Sequence, residues 1–158
     1  MSPHKRISTL LGVLMLLFAS VLRAQSSDHV SATTIPHDQL IQPADLNRAL
    51  QAHPHDLLIL QVGSRVLFQE SHIPGSEYTG PGSRPAGLDA IRARVANVPR
   101  TQEIVIYCGC CPWDKCPNIA PAWQLLHQMG FTEARALYIG NNFGADWVAK
   151  GYRAEKSQ

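Results

Sequence analysis

Ile104-Val105-Ile106-Tyr107-Cys108-Gly109-Cys110-Cys111-Pro112-Trp113-Asp114-Lys115-Cys116-Pro117-Asn118 is the stretch on which the reading of this chain turns. It opens as an apolar, β-branched run, the pattern of a strand buried on both faces. The run stops at Cys108-Gly109, and all four cysteines of the chain fall between Cys108 and Cys116. Pro112 and Pro117 interrupt regular structure until about Ile119. From there Ile119, Trp123, Leu126 and Met129 recur at helical spacing, and Gly130 suits the position just past a helix end. The order is strand, cysteine-rich loop, helix. A thiol at the tip of such a strand, facing loop amides and a helix N-terminus, sits in a positive field that lowers its pKa and holds an anion beside it. Only the thiolate is a nucleophile, so Cys108 is the candidate catalytic residue.

Outward from this stretch, apolar runs and amphipathic segments alternate. Ile35 to Ile41 can hold a short first strand. Pro43 to Leu50 reads as a helix with Leu46, Ala49 and Leu50 on one face, ended by His53-Pro54-His55-Asp56, a solvated turn. Leu57 to Val62 is a buried strand ending at Gly63-Ser64. Val66 to Glu70 is a short helix, Ser71 to Ser76 a turn, and Glu77 to Arg84 a loop rich in Gly, Ser and Pro. Pro85 opens a helix with Leu88, Ile91 and Val95 at core spacing. After Gly130, Ala134 to Ile139 is a last strand. Phe143, Trp147 and Val148 share one face of a closing helix that ends near Gly151. Short strands alternating with helices predict an α/β fold with a largely parallel sheet.

The N-terminus reads differently. Lys5 and Arg6 precede an apolar run to Leu22, followed by Arg23-Ala24, so residues 1–24 read as a secretory signal peptide, with an uncleaved anchor as the alternative. Residues 25–37 read as a flexible leader and 38–155 as the folded domain. The whole chain has 14 basic and 12 acidic side chains. Lys5, Arg6 and Arg23 belong to the first 24 residues, which carry no acid, so the remainder has 11 basic and 12 acidic side chains. That balance gives no reason to expect nucleic acid as a partner, and none to expect a membrane once the signal is cleaved. The expected location is the periplasm or the exterior, where disulfides are permitted. Four thiols in one loop close only tiny rings and cannot staple a fold, so they read as chemistry.

The order of landmarks resembles the rhodanese-like domain family, whose members are mostly sulfurtransferases. The resemblance rests on His72-Ile73-Pro74-Gly75, on Tyr107-Cys108-Gly109 at a strand end, on Gly130-Phe131, and on Gly140, Trp147 and Gly151-Tyr152 in the tail. It implies a central, mostly parallel sheet of about five strands with helices on both faces. It also implies that Cys108 carries sulfane sulfur as a persulfide between two half-reactions, taken from thiosulfate or a similar small anion and given to a thiophilic acceptor. Three departures stand out. The loop after Cys108 is longer than the family's cradle. Lys115 is its only cation, with no arginine. Gln61 stands where many members have an aspartate.

On this reading Gly109, Cys110, Cys111, Trp113 and Lys115 bind substrate, Lys115 as a point charge with a solvated loop residue as the equal alternative, and Trp113 as a wall with packing over the loop as the alternative. Cys110, Cys111 and Cys116 are open to three uses. They can resolve a persulfide on Cys108, close a loop disulfide as Cys111–Cys116 or Cys110–Cys116, or join Cys108 around a metal. A Cys-x-Cys-Cys-x4-Cys cluster fits zinc spacing poorly, and no metal or other cofactor is expected. His72 is expected to make a structural hydrogen bond, and Arg65 and Arg84 to lie at the surface. A thiol–disulfide redox protein and a metal- or partner-binding module remain as alternatives.

Overall fold

A computed structural model describes residues 31–53 and 56–157. The signal and residues 25–30 of the expected leader lie outside them, as do Pro54 and His55. Five strands form one sheet: β1 (Leu40–Ile41), β2 (Leu58–Gln61), β3 (Glu77–Tyr78), β4 (Ile104–Tyr107) and β5 (Arg135–Leu137). Their order across the sheet is β1-β5-β4-β2-β3, and every pairing is parallel. The helices are α1 (Pro43–Ala52), α2 (Arg65–Glu70), α3 (Pro85–Val95), α4 (Ile119–Gln128) and α5 (Phe143–Asp146). No helix of the described residues is long and apolar enough to cross a membrane.

β2 and β4 are buried at every position, which is why they read as unbroken apolar runs. Side chains alternate between the two faces. Leu58, Leu60, Ile104 and Ile106 point toward Ile91 and Val95 of α3 and Ile119, Leu125 and Leu126 of α4. Ile59, Val105 and Tyr107 point the other way, toward Leu46 of α1 and Phe143 and Trp147. Helices therefore cover both faces, as expected. α4 ends in a Schellman motif: Phe131 N–H bonds Leu126 O at 3.0 Å and Gly130 N–H bonds His127 O at 2.9 Å. Gly130 takes φ +90° to make that turn, a conformation that glycine adopts without penalty.

Three expectations need correction. Residues 31–37 are not a free leader. Ala32–Thr34 form a 3-10 turn capped by Ser31, and Ala32 and Ile35 are buried in the α3/α4 core. The segment from Glu77 to Arg84 is not all loop, because Glu77 and Tyr78 pair with Leu60 and Gln61 as the edge strand β3. The closing helix does not bury Val148. After α5 the chain tightens into a 3-10 turn at Val148–Lys150, which leaves Trp147 buried and Val148 exposed.

Gly82 joins the fold to the loop around β4. Its N–H bonds Val62 O at 3.0 Å, and a Cβ there would stand 2.2 Å from the backbone oxygen of Asn118. Gly82→Ala must therefore push back the start of α4. The expected loss is about 1–3 kcal/mol, the usual size of an overpacking penalty. A urea unfolding midpoint equal to wild type would refute the tight approach.

Candidate active site

The chain leaves β2 for β3 toward one edge of the sheet and leaves β4 for β5 toward the other. In open parallel sheets the crevice for ligands forms beyond the strand C-termini at such a switch point. Gln61 and Tyr107, the last residues of β2 and β4, are paired in register there. Cys108 follows Tyr107. A cleft of about 430 Å³ opens at this point, and Gln61, Glu70, Cys108, Cys110, Phe143 and Val148 are among its walls. A larger cleft of about 520 Å³ lies elsewhere, beside Asn47, Gly75 and Arg153. No cysteine or histidine lines it, so the chemistry belongs to the smaller one.

Cys108 continues the alternation of β4, in phase with Ile104 and Ile106, and only 3% of it is exposed. Its sulfur lies over Gly63, where a Cβ would come within 2.7 Å of it. Gln61 is fully enclosed. Its Nε2 donates to Cys108 O at 3.3 Å and its Oε1 accepts from Gly63 N–H at 3.1 Å. An aspartate here could only accept, leaving the Cys108 carbonyl without this donor. Gln61, standing where the resemblance implies an aspartate, thus fixes the backbone on either side of the sulfur.

Asn118, which the sequence did not single out, is the polar partner of Cys108. Ser83 N–H and Ser83 Oγ donate to its Oδ1 at 3.2 and 2.8 Å. A backbone N–H cannot accept, so Oδ1 must face Ser83 and Nδ2 must face the sulfurs. Nδ2 lies 3.3 Å from Cys108 Sγ and 4.0 Å from Cys110 Sγ. The only sequence signal was its position, directly before α4.

The four cysteines are free thiols. Cys110 Sγ is 3.1 Å from Cys108 Sγ and 3.2 Å from Cys111 Sγ. The sulfurs of Cys108, Cys110 and Cys116 all lie within 4.8 Å of one another. Neither expected loop disulfide is formed. The ionisation of this group is shared. Cys110 is held well below the ordinary thiol range because the thiols of Cys108 and Cys116 donate to it. Cys108 is pushed far up by its hydrogen bonds to Cys110 and Cys116 and by burial. Cys111 is raised to about 12 by burial and by its bond to Cys110. At Cys116 the hydrogen bond to Cys108 and the amides of Asn118 and Ile119 act downward, but Cys110 and burial outweigh them.

This corrects the expectation of amides converging on Cys108. Among the described residues its sulfur meets the Asn118 amide and neighbouring thiols, while the backbone N–H groups at the start of α4 face Cys116. Two loop residues also leave the expected site. Trp113 turns into the core against Tyr138, with ring centroids 5.2 Å apart. Lys115 is 73% exposed and pairs with Asp114 at 3.5 Å, so the loop's one cation faces water. Gly109 stays, at φ +74°, with its carbonyl accepting from Phe143 N–H at 3.0 Å, which straps the loop to α5. Cys111 remains beside Cys110 but does not line the cleft. His72 makes the structural bond expected of it, its Nδ1 2.8 Å from Phe68 O. The Tyr107 hydroxyl ties the same turn to β4, accepting from Ile73 N–H at 3.2 Å and lying 3.0 Å from Ser76 Oγ. Arg65 stacks on Tyr78 at 4.4 Å, and Arg84 lies exposed before α3.

A family model described as the rhodanese-like domain matches residues 42–142. Among solved structures, the rhodanese-like domain of an Anabaena sp. protein superposes with a TM-score of 0.55 at 21% identity, covering 75% of this chain and 79% of that one. A protein from Bacillus halodurans gives a TM-score of 0.57 at 19% identity, covering 74% and 76%. A thiosulfate sulfurtransferase from Pseudomonas aeruginosa gives 0.53 at 19% identity, covering 75% of this chain and 20% of that one. No curated protein matches the chain.

The thiol order is testable by alkylation. At pH 5.5 an ordinary thiol is only about a thousandth ionised. A lowered pKa keeps Cys110 a thiolate as the pH falls, so iodoacetamide at that pH should modify Cys110 first, and Cys110→Ser should remove the low-pH reaction. Equal labelling of Cys110 and Cys111 at pH 5.5 would contradict the shared-thiol geometry.

Proposed function

This chain belongs to the rhodanese-like domain family, and from that premise we propose that it is a sulfurtransferase which holds sulfane sulfur on Cys108. One observation carries the reading. The Cys108 sulfur, at the C-terminal tip of β4 and on the wall of the cleft, has a thiol partner at 3.1 Å and an amide donor at 3.3 Å. Cys110, which shares one proton and one charge with Cys108 across the 3.1 Å contact, is its proton partner. It takes the Cys108 proton as the Cys108 sulfur attacks the outer sulfur of a donor R–S–SH. The S–S bond of the donor breaks, the thiolate R–S⁻ leaves, and the proton on Cys110 passes to it. Cys108 now carries the outer sulfur as a persulfide, and Asn118 Nδ2–H supports its charge. An acceptor thiolate then attacks that terminal sulfur and returns Cys108 to the thiolate.

The walls of the cleft favour a donor of low charge. Glu70 and the Cys110 thiolate are the charged side chains among them, both negative, and neither Arg65 nor Lys115 turns inward. A dianion such as thiosulfate meets a like charge there and no cation. Leu67 and Val148, both exposed at the same cleft, suit an organic thiol persulfide instead. Exposure of Cys110 supports a second reading, in which Cys110 takes the sulfur first and passes it to Cys108. The N-terminal signal pattern supports action outside the cytoplasm.

The full chain, reduced and then incubated with a low-molecular-weight thiol persulfide, should gain one sulfur atom by intact mass. Cys108→Ser should gain none. Cys110→Ser should still gain it, about 100-fold more slowly, a typical cost of losing a positioned base. Thiosulfate should load at least about tenfold more slowly than the thiol persulfide, which one like-charge contact of ~1.4 kcal/mol suffices to cause. Full loading of Cys108→Ser would overturn the assignment, and sulfur recovered on a Cys110 peptide from that variant would establish the second reading.

A further inference from the structure

The loop after β4 gathers more sulfur than one persulfide needs. Cys116 does not line the cleft, yet its sulfur lies within 4.8 Å of both Cys108 and Cys110. We propose that Cys108, Cys110 and Cys116 form a three-sulfur site for a soft monovalent metal ion of the Cu(I) type. These three sulfurs make the site whether or not the protein is a sulfurtransferase.

The spacing fits such an ion. A metal about 2.3 Å from each of three coplanar thiolates sets them about 4 Å apart. The observed separations run from 3.1 Å between Cys108 and Cys110 to no more than 4.8 Å within the set, so they bracket that distance. The donor set is all sulfur. Among the described residues no histidine, aspartate or glutamate joins it. Hard ions such as Mg²⁺ and Ca²⁺ take oxygen ligands and have none here. A closed zinc site takes four ligands. The fourth cysteine, Cys111, stands outside the set; its sulfur is 3.2 Å from Cys110 Sγ and also interacts with Cys116, but it does not close on Cys108. Three thiolates without a fourth donor suit a soft ion that accepts low coordination.

The surroundings fit as well. Asn118 Nδ2 lies 3.3 and 4.0 Å from two of the three sulfurs and its Oδ1 is fixed by Ser83, an outer partner that holds the ligands in place. Cys108 and Cys116 are enclosed with Trp113 and Ile119 in the α3/α4 core, which screens one side of the site from water. Cys110 is exposed and provides the way in. Binding changes no oxidation state. Each thiol that becomes a ligand gives its proton to solvent and a lone pair to the ion.

The test uses the full chain, reduced and kept free of oxygen, titrated with Cu(I) against the coloured chelator bicinchoninate. One Cu(I) per chain should be held, with three sulfurs near 2.3 Å by X-ray absorption, the usual length of a metal–thiolate bond. Cys116→Ser and Cys110→Ser should each weaken binding by more than the roughly 10–100-fold that loss of an outer partner costs. Cys111→Ser should bind as wild type does. Cys110 is exposed, so its substitution leaves the core intact and reads the site even if Cys116→Ser perturbs folding. Failure to retain Cu(I), retention that survives Cys110→Ser, a matching loss in Cys111→Ser, or displacement of Cu(I) by excess Zn(II) would each overturn the site. Sulfur loading is measured on the metal-free protein, so either result can fail without the other.

Discussion

The alternation of side chains along β4 decides where the chemistry sits. Ile104 and Ile106 face α3 and α4, and Cys108 is next in phase. Turning its thiol outward would need a one-residue slip, which would put Ile104 and Ile106 on the wrong face as well. The thiol therefore lies beneath the loop, where Gly63, Asn118 and Cys116 converge on it. The same alternation sends Tyr107 to the other face, where its hydroxyl holds the turn at Ile73 and Ser76. One short strand thus fixes both the reactive sulfur and the turn that closes the far side of the sheet.

Crowding four thiols in one loop changes the electrostatics expected of a lone strand-tip cysteine. A positive cradle of amides lowers the pKa of the residue it surrounds. Here the amides at the start of α4 serve Cys116, and Cys108 relies on a side-chain amide and on other thiols. Several thiolates within 4.8 Å repel one another in a half-buried space, so the group favours one charge at a time. That charge settles on Cys110, which is exposed to water and central enough to accept from its neighbours. The buried thiol and the charged thiol are therefore different residues, and they act as a pair.

Much of this was readable from residue patterns. The double burial of β2 and β4 showed in their apolar runs, and the Schellman end of α4 showed in Gly130-Phe131. Other features left little trace. β3 has two residues, both half-buried, with no apolar run to mark it. The packing of Ala32 and Ile35 depends on a cavity beside α4 that only the folded domain creates. In the loop, residue type left two readings open. A tryptophan and a lysine beside a reactive cysteine suggest a wall and a charge, but Trp113 gains more from burial against Tyr138 and Lys115 more from hydration beside Asp114. Asn118 was missed because its role comes from Ser83, 35 residues earlier, which sets the direction of its amide.

The two uses of the cluster compete for the same thiolate. A persulfide places its terminal sulfur about 2.05 Å from Cys108 Sγ. A metal on the same thiolate would lie about 2.3 Å away. Cys110 Sγ is already 3.1 Å from Cys108 Sγ, so an atom added to Cys108 on this side must either bond to Cys110 or displace it. A protein with both capacities would thus hold either sulfane sulfur or a soft ion. The exposed Cys110, common to both, is where the choice would be made, because whatever enters the cleft meets that sulfur first.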